Sequence, residues 1–85
     1  MSLNEFIYDR DEALKQYSVP ALIKFLTKYK HLYEPGFYEA FVRSDDLVKE
    51  ITLNKMICAS FTLPKSLKNK AAKWLEERGY GKSLW

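Results

Sequence analysis

The spacing of apolar residues points this chain toward a helical fold. Between Leu22 and Tyr29, apolar side chains return every three or four positions, which is the repeat of an α-helix. No strand-like alternation lasts long, and only three glycines and three prolines interrupt the sequence. The pattern predicts an all-α fold, a single small domain of four to five short helices.

The length of 85 residues allows one core and no more. A chain of this size buries only about 60–65 % of its unfolded surface, so its margin of stability is thin. The composition, 47 % hydrophobic and 15 % aromatic, is nevertheless that of a folded protein. We expect residues 1–85 to form one helical domain, which a partner or a second copy could stabilise further.

Serine residues mark two predicted helix starts in the first part of the chain. Ser2 and Glu5 have the spacing of a capping box and predict a first helix over residues 3–16. Ser18 is the next predicted cap, and Pro20 fits only the first turn of the helix that follows. The sequence EPG at residues 34–36 then forces a break, and a short helix is expected after it.

Ser44 is predicted to cap a later helix, with Asp45 and Asp46 at the positive end of the helix dipole. The predicted buried side of this helix consists of Leu47, Val48, Ile51, Met56 and Ile57.

The apolar segment 56–63 is compatible with either a helix tail or an extended link. A basic C-terminal helix is predicted over about 64–78, with Gly79 as its left-handed C-cap. Residues 79–85 are expected to form a short mobile tail.

Charge is distributed unevenly along the sequence. Residues 1–59 contain eight Lys and Arg against nine Asp and Glu, a net charge of −1. Residues 60–85 contain six against two, a net charge of +4. This asymmetry could attract an acidic partner or nucleic acid to the C-terminal part.

Residues that commonly support catalysis are scarce. The chain has one His and one Cys, His31 and Cys58, without metal-ligand spacing or a Gly-rich phosphate loop. We therefore predict no enzymatic activity, no cofactor and no metal. The single cysteine suits a reducing compartment, and the absence of a signal segment or long apolar run leads us to expect a soluble, cytoplasmic protein without membrane contact.

The acidic residues Asp45, Asp46 and Glu50 are the predicted contacts for a partner protein. The simpler interpretation of the pair Asp45–Asp46 is a solvated first turn of a helix. Adjacent helical residues diverge by about 100°, which argues against a catalytic carboxylate pair. A charge contact with a basic partner needs only one exposed carboxylate.

The basic C-terminal residues have two interpretations as well. They form either a solvated face around a buried stripe or a surface for neutralising phosphates, which would add affinity without reading sequence. The predicted nucleic-acid-binding residues are Lys65, Lys68, Lys70, Lys73 and Arg78.

The segment DDLVKEITLNKM, residues 45–56, resembles the signature of the Hha/YmoA family of small helical nucleoid-associated modulators, approximately A-A-D-H-R-x-A-E-L-T-M-N-K-L. Asp45 and Glu50 fall on the acidic positions of that signature, and residues 52–55 match its T-x-N-K. The resemblance extends over about residues 20–57, through LIKFLTKYK and FYEAF. Asp46 and Leu47 replace the His-Arg of the family, and PKSL at residues 64–67 only echoes its closing P-x-S-V-W.

The resemblance implies a partner of H-NS type, whose arginines such proteins meet with acidic residues. Asp45 would be the main partner contact, supported by Asp46 and Glu50, while the C-terminal lysines would face DNA. Our leading hypothesis is a non-enzymatic regulatory binding module. The alternatives are direct, non-specific nucleic-acid binding, and a phage or plasmid accessory protein that modulates a host complex.

Overall fold

Helices account for most of residues 2–80, the part of the chain that the computed structural model describes. In chain order they are α1 (Leu3–Lys15), α2 (Val19–Tyr29), α3 (Phe37–Arg43), α4 (Asp46–Ala59) and α5 (Lys65–Glu77). A 3-10 turn, Lys30–Leu32, continues α2, and no strand occurs in residues 2–80. The predicted all-α fold of four to five short helices is confirmed. Met1 and residues 81–85, which include most of the predicted mobile tail, lie outside the described part.

The two N-terminal caps are those predicted. The Ser2 hydroxyl accepts a hydrogen bond from the Glu5 amide at 3.1 Å, and the Ser18 hydroxyl accepts one from the Ala21 amide at 3.2 Å. Each bond satisfies an amide that has no partner inside its own helix. Local side-chain chemistry thus fixes where α1 and α2 begin.

The predicted cap of α4 is wrong. Ser44 ends α3 instead, because its amide and its hydroxyl both donate to the carbonyl of Phe41. Asp45 holds the N-cap position of α4 with an extended backbone, and its side chain makes no capping hydrogen bond. Lys49 crosses the junction and donates to the carbonyl of Ser44. Two adjacent residues that both favour caps therefore serve two different helices.

The core lies where all five helices converge. Its buried residues are Ala13, Leu14, Leu22, Phe25, Leu26, Tyr29, Phe41, Leu53, Ile57, Leu63 and Ala71. The rings of Phe6, Phe25 and Tyr29 pack together beside it, with centroids 5.0–5.6 Å apart. Fully burying one large apolar side chain stabilises a fold by about 1.5–3 kcal/mol, so this shared cluster holds the helices together.

The predicted buried side of α4 is wrong at its first turn. Leu47 and Val48 are 45 % and 44 % exposed, whereas Leu53, Asn54 and Ile57 are the buried residues of this helix. At about 100° per residue, Val48 and Ile57 point in opposite directions. Because Ile57 faces the core, Val48 must face away from it.

Helix α5 ends in a Schellman motif. Gly79 has a left-handed backbone with φ +81°, and its amide donates to the carbonyl of Glu76 at 3.1 Å. The amide of Tyr80 donates to the carbonyl of Leu75 at 2.8 Å. This pair of bonds defines the motif and confirms Gly79 as the predicted left-handed C-cap.

Candidate functional site

The short connection between α3 and α4 builds an exposed surface that combines apolar and acidic side chains. We call it the α3–α4 face and define it by Val42, Asp45, Asp46, Leu47 and Val48, all of which are exposed. Only Ser44 and Asp45 separate the two helices. Three exposed aliphatic side chains and two carboxylates therefore occur within seven residues of sequence. Asp46 and Val48, two positions apart in α4, point to opposite flanks of that helix, and Leu47 lies between them.

A groove of about 200 Å³ lies beside this face, between α3 and α4. Its lining residues are Phe37, Ala40, Phe41, Ser44, Val48 and Thr52. Val48 belongs to both the groove and the exposed face, so the apolar surface continues from one into the other. An apolar side chain of another molecule could enter this groove without disturbing the core behind it.

The three predicted partner contacts, Asp45, Asp46 and Glu50, are all exposed. Asp46 lies in the first turn of α4, where the helix dipole favours a carboxylate. The ion pairs found in residues 2–80 involve other carboxylates, those of Asp9, Asp11 and Glu12. The acidic groups at the start of α4 are consequently available for an external cation.

The three carboxylates do not share one direction: Asp45 and Asp46 diverge, whereas Asp46 and Glu50 lie on the same side of α4. Asp45 precedes the helix, and Asp45 and Asp46 are adjacent residues, so they do not converge on a common point. Asp46 and Glu50 are four positions apart in one helix and lie on the same side of it. The arrangement suits the binding of spread-out positive charge better than general acid–base chemistry.

Helix α5 presents the predicted nucleic-acid-binding residues in several directions. Lys65, Lys70, Lys73 and Arg78 are exposed, and Lys68 is half-buried. Lys68 and Lys70 are about 200° apart around the helix, so they lie on opposite flanks. Lys65, Lys70 and Lys73 share the outer half of α5. The geometry thus groups three of the five residues on one surface.

The other cations of α5 contact aromatic rings of the same chain. The ammonium group of Lys68 lies 6.0 Å from the ring centroid of Phe61, and the guanidinium group of Arg78 lies 4.1 Å from that of Trp74. Lys70 also takes part, with its ammonium group 4.9 Å from the ring of Tyr17. Such contacts orient the side chains while leaving their charges in solvent.

His31 and Cys58 lie in different surroundings. His31 is exposed in the 3-10 turn after α2, whereas Cys58 is half-buried between α4 and α5. Burial raises the pKa of the Cys58 thiol, and the positive charge of Lys68 opposes this shift without cancelling it. A raised pKa keeps the thiol protonated and weakly nucleophilic at neutral pH. Within residues 2–80, no cluster of three or more His, Cys, Asp or Glu is arranged to hold a metal ion.

A second exposed feature was not predicted from the sequence. Phe61, in the loop between α4 and α5, is 98 % exposed and stands at the edge of a groove of about 520 Å³. The sequence signal was an isolated aromatic residue between the hydroxyl side chains of Ser60 and Thr62, in a segment without helical spacing. That signal identifies a loop but does not tell whether its aromatic ring turns inward or outward.

The fold and this surface define the chain as a small all-α domain with an exposed, acid-flanked apolar face. Its sequence matches no protein-family model, and comparisons with characterised proteins and with solved structures find no significant match. None of the helices within residues 2–80 is both long enough and apolar enough to cross a membrane.

Proposed function

We propose that the protein is a non-enzymatic regulatory module that binds another protein through the α3–α4 face. The observation that carries this proposal is the exposure of Leu47 and Val48, which are nearly half accessible in the first turn of a helix. Exposed apolar side chains bordered by charged residues are typical of protein-binding surfaces. Removing these apolar side chains from water stabilises the complex when a partner covers them.

The chemistry of the face specifies the kind of partner. Asp45 and Asp46, with Glu50 one turn further along α4, favour a surface that carries arginine or lysine. The groove beside Val48, on the other flank of α4, favours an apolar side chain of the same partner. The resemblance to the Hha/YmoA family supports a DNA-bound silencer of H-NS type as this partner. Asp45 and Glu50, the acidic positions of that resemblance, are exposed as such a contact requires.

The first experiment measures capture of the N-terminal dimerisation region of an H-NS-type protein by isothermal titration calorimetry. Asp45→Asn and Val48→Ser should each weaken binding about tenfold or more, by removing a charge contact or an apolar contact. Glu77→Gln, which removes an exposed carboxylate from α5, is the matched control and should bind like the wild type.

Thermal melting distinguishes loss of an interface from loss of the fold. The melting temperature of Asp45→Asn should stay within a few degrees of the wild type, because the Asp45 side chain makes no capping bond. If Asp45→Asn unfolds the domain, Asp45 is a helix cap and its role as a partner contact loses its support. If neither variant changes binding, the α3–α4 face is not the binding surface. Affinity capture from a source-cell lysate, with and without nuclease, then tells whether DNA rather than protein mediates association.

Direct, non-specific nucleic-acid binding is a second candidate function, favoured by the three exposed lysines on the outer half of α5. Each neutralised phosphate should contribute about 0.9 to the slope of log affinity against log salt concentration. Replacing Lys65, Lys70 and Lys73 by Gln should therefore flatten the salt dependence measured with duplex DNA. A flat response of the wild-type protein would rule this function out.

A further inference from the structure

We infer that two copies of this chain associate through α5, each inserting Phe61 into the groove between α4 and α5 of the other. The inference does not depend on protein binding through the α3–α4 face, because it uses no residue of that face; it shares Lys65 with the second candidate function, nucleic-acid binding. It rests on three observations about the loop and helix that follow α4.

The first observation is the position of Phe61. At 98 % exposure, its ring is almost entirely in solvent and contributes little to the fold. The ammonium group of Lys68 lies 6.0 Å from the ring centroid, and both residues line the same groove. A benzyl group held outside the fold in this way is available for insertion into another molecule.

The second observation is the groove between α4 and α5, which Phe61 borders. Its volume of about 520 Å³ exceeds that of a phenylalanine side chain, and Phe61 of the same chain leaves it open. The lining residues besides Phe61 are Cys58, Ala59, Lys68, Asn69 and Ala72. Small side chains at positions 59 and 72 leave room for an aromatic ring, and burial there would remove about 150–250 Å² of that ring from water.

The third observation identifies the occupant as a second copy. Four exposed residues of α5 lie along one side of the helix at spacings of four, three and four: Lys65, Asn69, Ala72 and Glu76. Lys65 and Glu76 are equally far from the midpoint of this stripe, about 8 Å in each direction at 1.5 Å per residue. Two such helices packed antiparallel would therefore place each Lys65 beside Glu76 of the second copy.

This self-complementarity is what a two-fold symmetric interface requires. Both subunits contribute the same surface patch to such an interface. The patch must therefore contain both the protruding side chain and the groove that receives the same side chain of the other subunit. Phe61 and the groove meet that condition, and so do the opposite charges at the two ends of the stripe. The contact uses one helix and one ring from each chain, which places it below the usual size of a stable interface, about 1,200 Å². The dimer should accordingly be weak and dependent on concentration.

The first test measures the mass of the full chain by sedimentation equilibrium over about 10 µM to 1 mM, a range that brackets weak association. The wild type should pass from 10.0 kDa toward twice that mass as concentration rises. Phe61→Ser should remain monomeric with an unchanged melting temperature, because the lost ring is exposed. Leu47→Ser removes an exposed apolar residue from the α3–α4 face and should dimerise like the wild type. A wild type that stays at 10.0 kDa, or a dimer that survives Phe61→Ser, overturns the proposal.

The second test uses charge reversal to examine the antiparallel arrangement. Lys65→Glu and Glu76→Lys should each weaken self-association, because both variants place like charges together at either end of the interface. An equimolar mixture of the two variants should associate again, since the mixed dimer contains two attractive pairs. A mixture that behaves like its separate components overturns the antiparallel pairing.

Discussion

Asn54 is a polar residue in the core, only 1 % exposed, and both ends of its amide are satisfied. Its oxygen accepts from the hydroxyl of Tyr17, and its nitrogen donates to the carbonyl of Glu50 at 2.7 Å. Tyr17 follows α1 with a left-handed backbone, φ +50°, which costs about 1–2 kcal/mol for a residue other than glycine. The hydrogen bond to Asn54 ties this unusual turn to α4.

We predict that Tyr17→Phe lowers the free energy of unfolding by about 1–3 kcal/mol, because it leaves the oxygen of Asn54 buried without a donor. Asn54→Leu should also be destabilising, because it leaves the hydroxyl of Tyr17 without its acceptor. The double variant should lose less than the sum of the two single changes, since neither orphaned group remains. Urea denaturation of the four proteins measures this coupling, and strict additivity would show that the two side chains act separately.

Asp9 connects α1 to the end of α2. Its carboxylate accepts hydrogen bonds from the buried hydroxyl of Tyr29 and from the ammonium group of Lys28, the latter at 3.0 Å. The bond from Tyr29, followed by that from Lys28, lowers the pKa of Asp9 below its usual value. The same bond to Asp9 is the main cause of the raised pKa of Tyr29.

A lowered pKa in the folded state makes stability depend on pH in a defined direction. The contribution of Asp9 is fully present above the ordinary aspartate pKa of about 4 and is lost as pH falls through the lower folded value. We predict that wild type and Asp9→Asn differ most in melting temperature near neutral pH and converge as the pH approaches about 2. Melting curves across this range provide the check, and parallel curves for the two proteins would contradict it.

Local sequence signals predicted where the helices begin and end better than they predicted which side of each helix is buried. Ser18 and Gly79 act on backbone groups within four residues, so sequence alone could identify them. Ser44 and Asp45 are neighbours with the same preference for caps, and only the turn of the chain between α3 and α4 decides which helix each one serves.

The buried face of α4 could not be predicted, because apolar residues surround this helix. Contacts distant in sequence make the choice. The hydroxyl of Tyr17, 37 residues away, donates to the oxygen of the buried Asn54, and Val48 lies on the side of α4 that faces solvent. The acidic part of the candidate site, Asp45 with Asp46, followed from local helix chemistry. Its apolar part, and the exposure of Phe61, depended on how the helices pack.

The end of α5 provides a prediction about a single backbone conformation. A Cβ atom added at Gly79 would meet nothing within 4 Å, so the cost of Gly79→Ala comes from the left-handed backbone alone. We predict that Gly79→Ala lowers the free energy of unfolding by about 1–2 kcal/mol. In a domain of this size, each kcal/mol lowers the melting temperature by roughly 4–8 °C. Gly79→Asn should lose less, because asparagine tolerates this conformation. Thermal melting of both variants checks the order, and equal losses would contradict the backbone explanation.

For the molecule as a whole, a shared core and two side-chain hydrogen bonds within residues 2–80 join the N-terminal helices α1 and α2 to the C-terminal helices α4 and α5 and the loop between them. Leu26 of α2 and Ala71 of α5 belong to the same buried cluster. One hydrogen bond joins Tyr17 to Asn54, and the other joins Thr62, in the loop before α5, to Asp11 of α1. The N-terminal pair of helices and the C-terminal pair should therefore unfold together.

Leu26→Ala tests this dependence at a distance. Leu26 is fully buried in α2, and its truncation should lower the free energy of unfolding by about 2–5 kcal/mol. In a Trp85→Phe background, tryptophan fluorescence reports on Trp74 of α5 alone. We predict that Leu26→Ala lowers the urea midpoint equally by fluorescence and by far-ultraviolet circular dichroism, because coincident transitions are the mark of one cooperative unit. If Trp74 kept its wild-type midpoint while helical signal was lost earlier, α4 and α5 would form a unit that folds without α2.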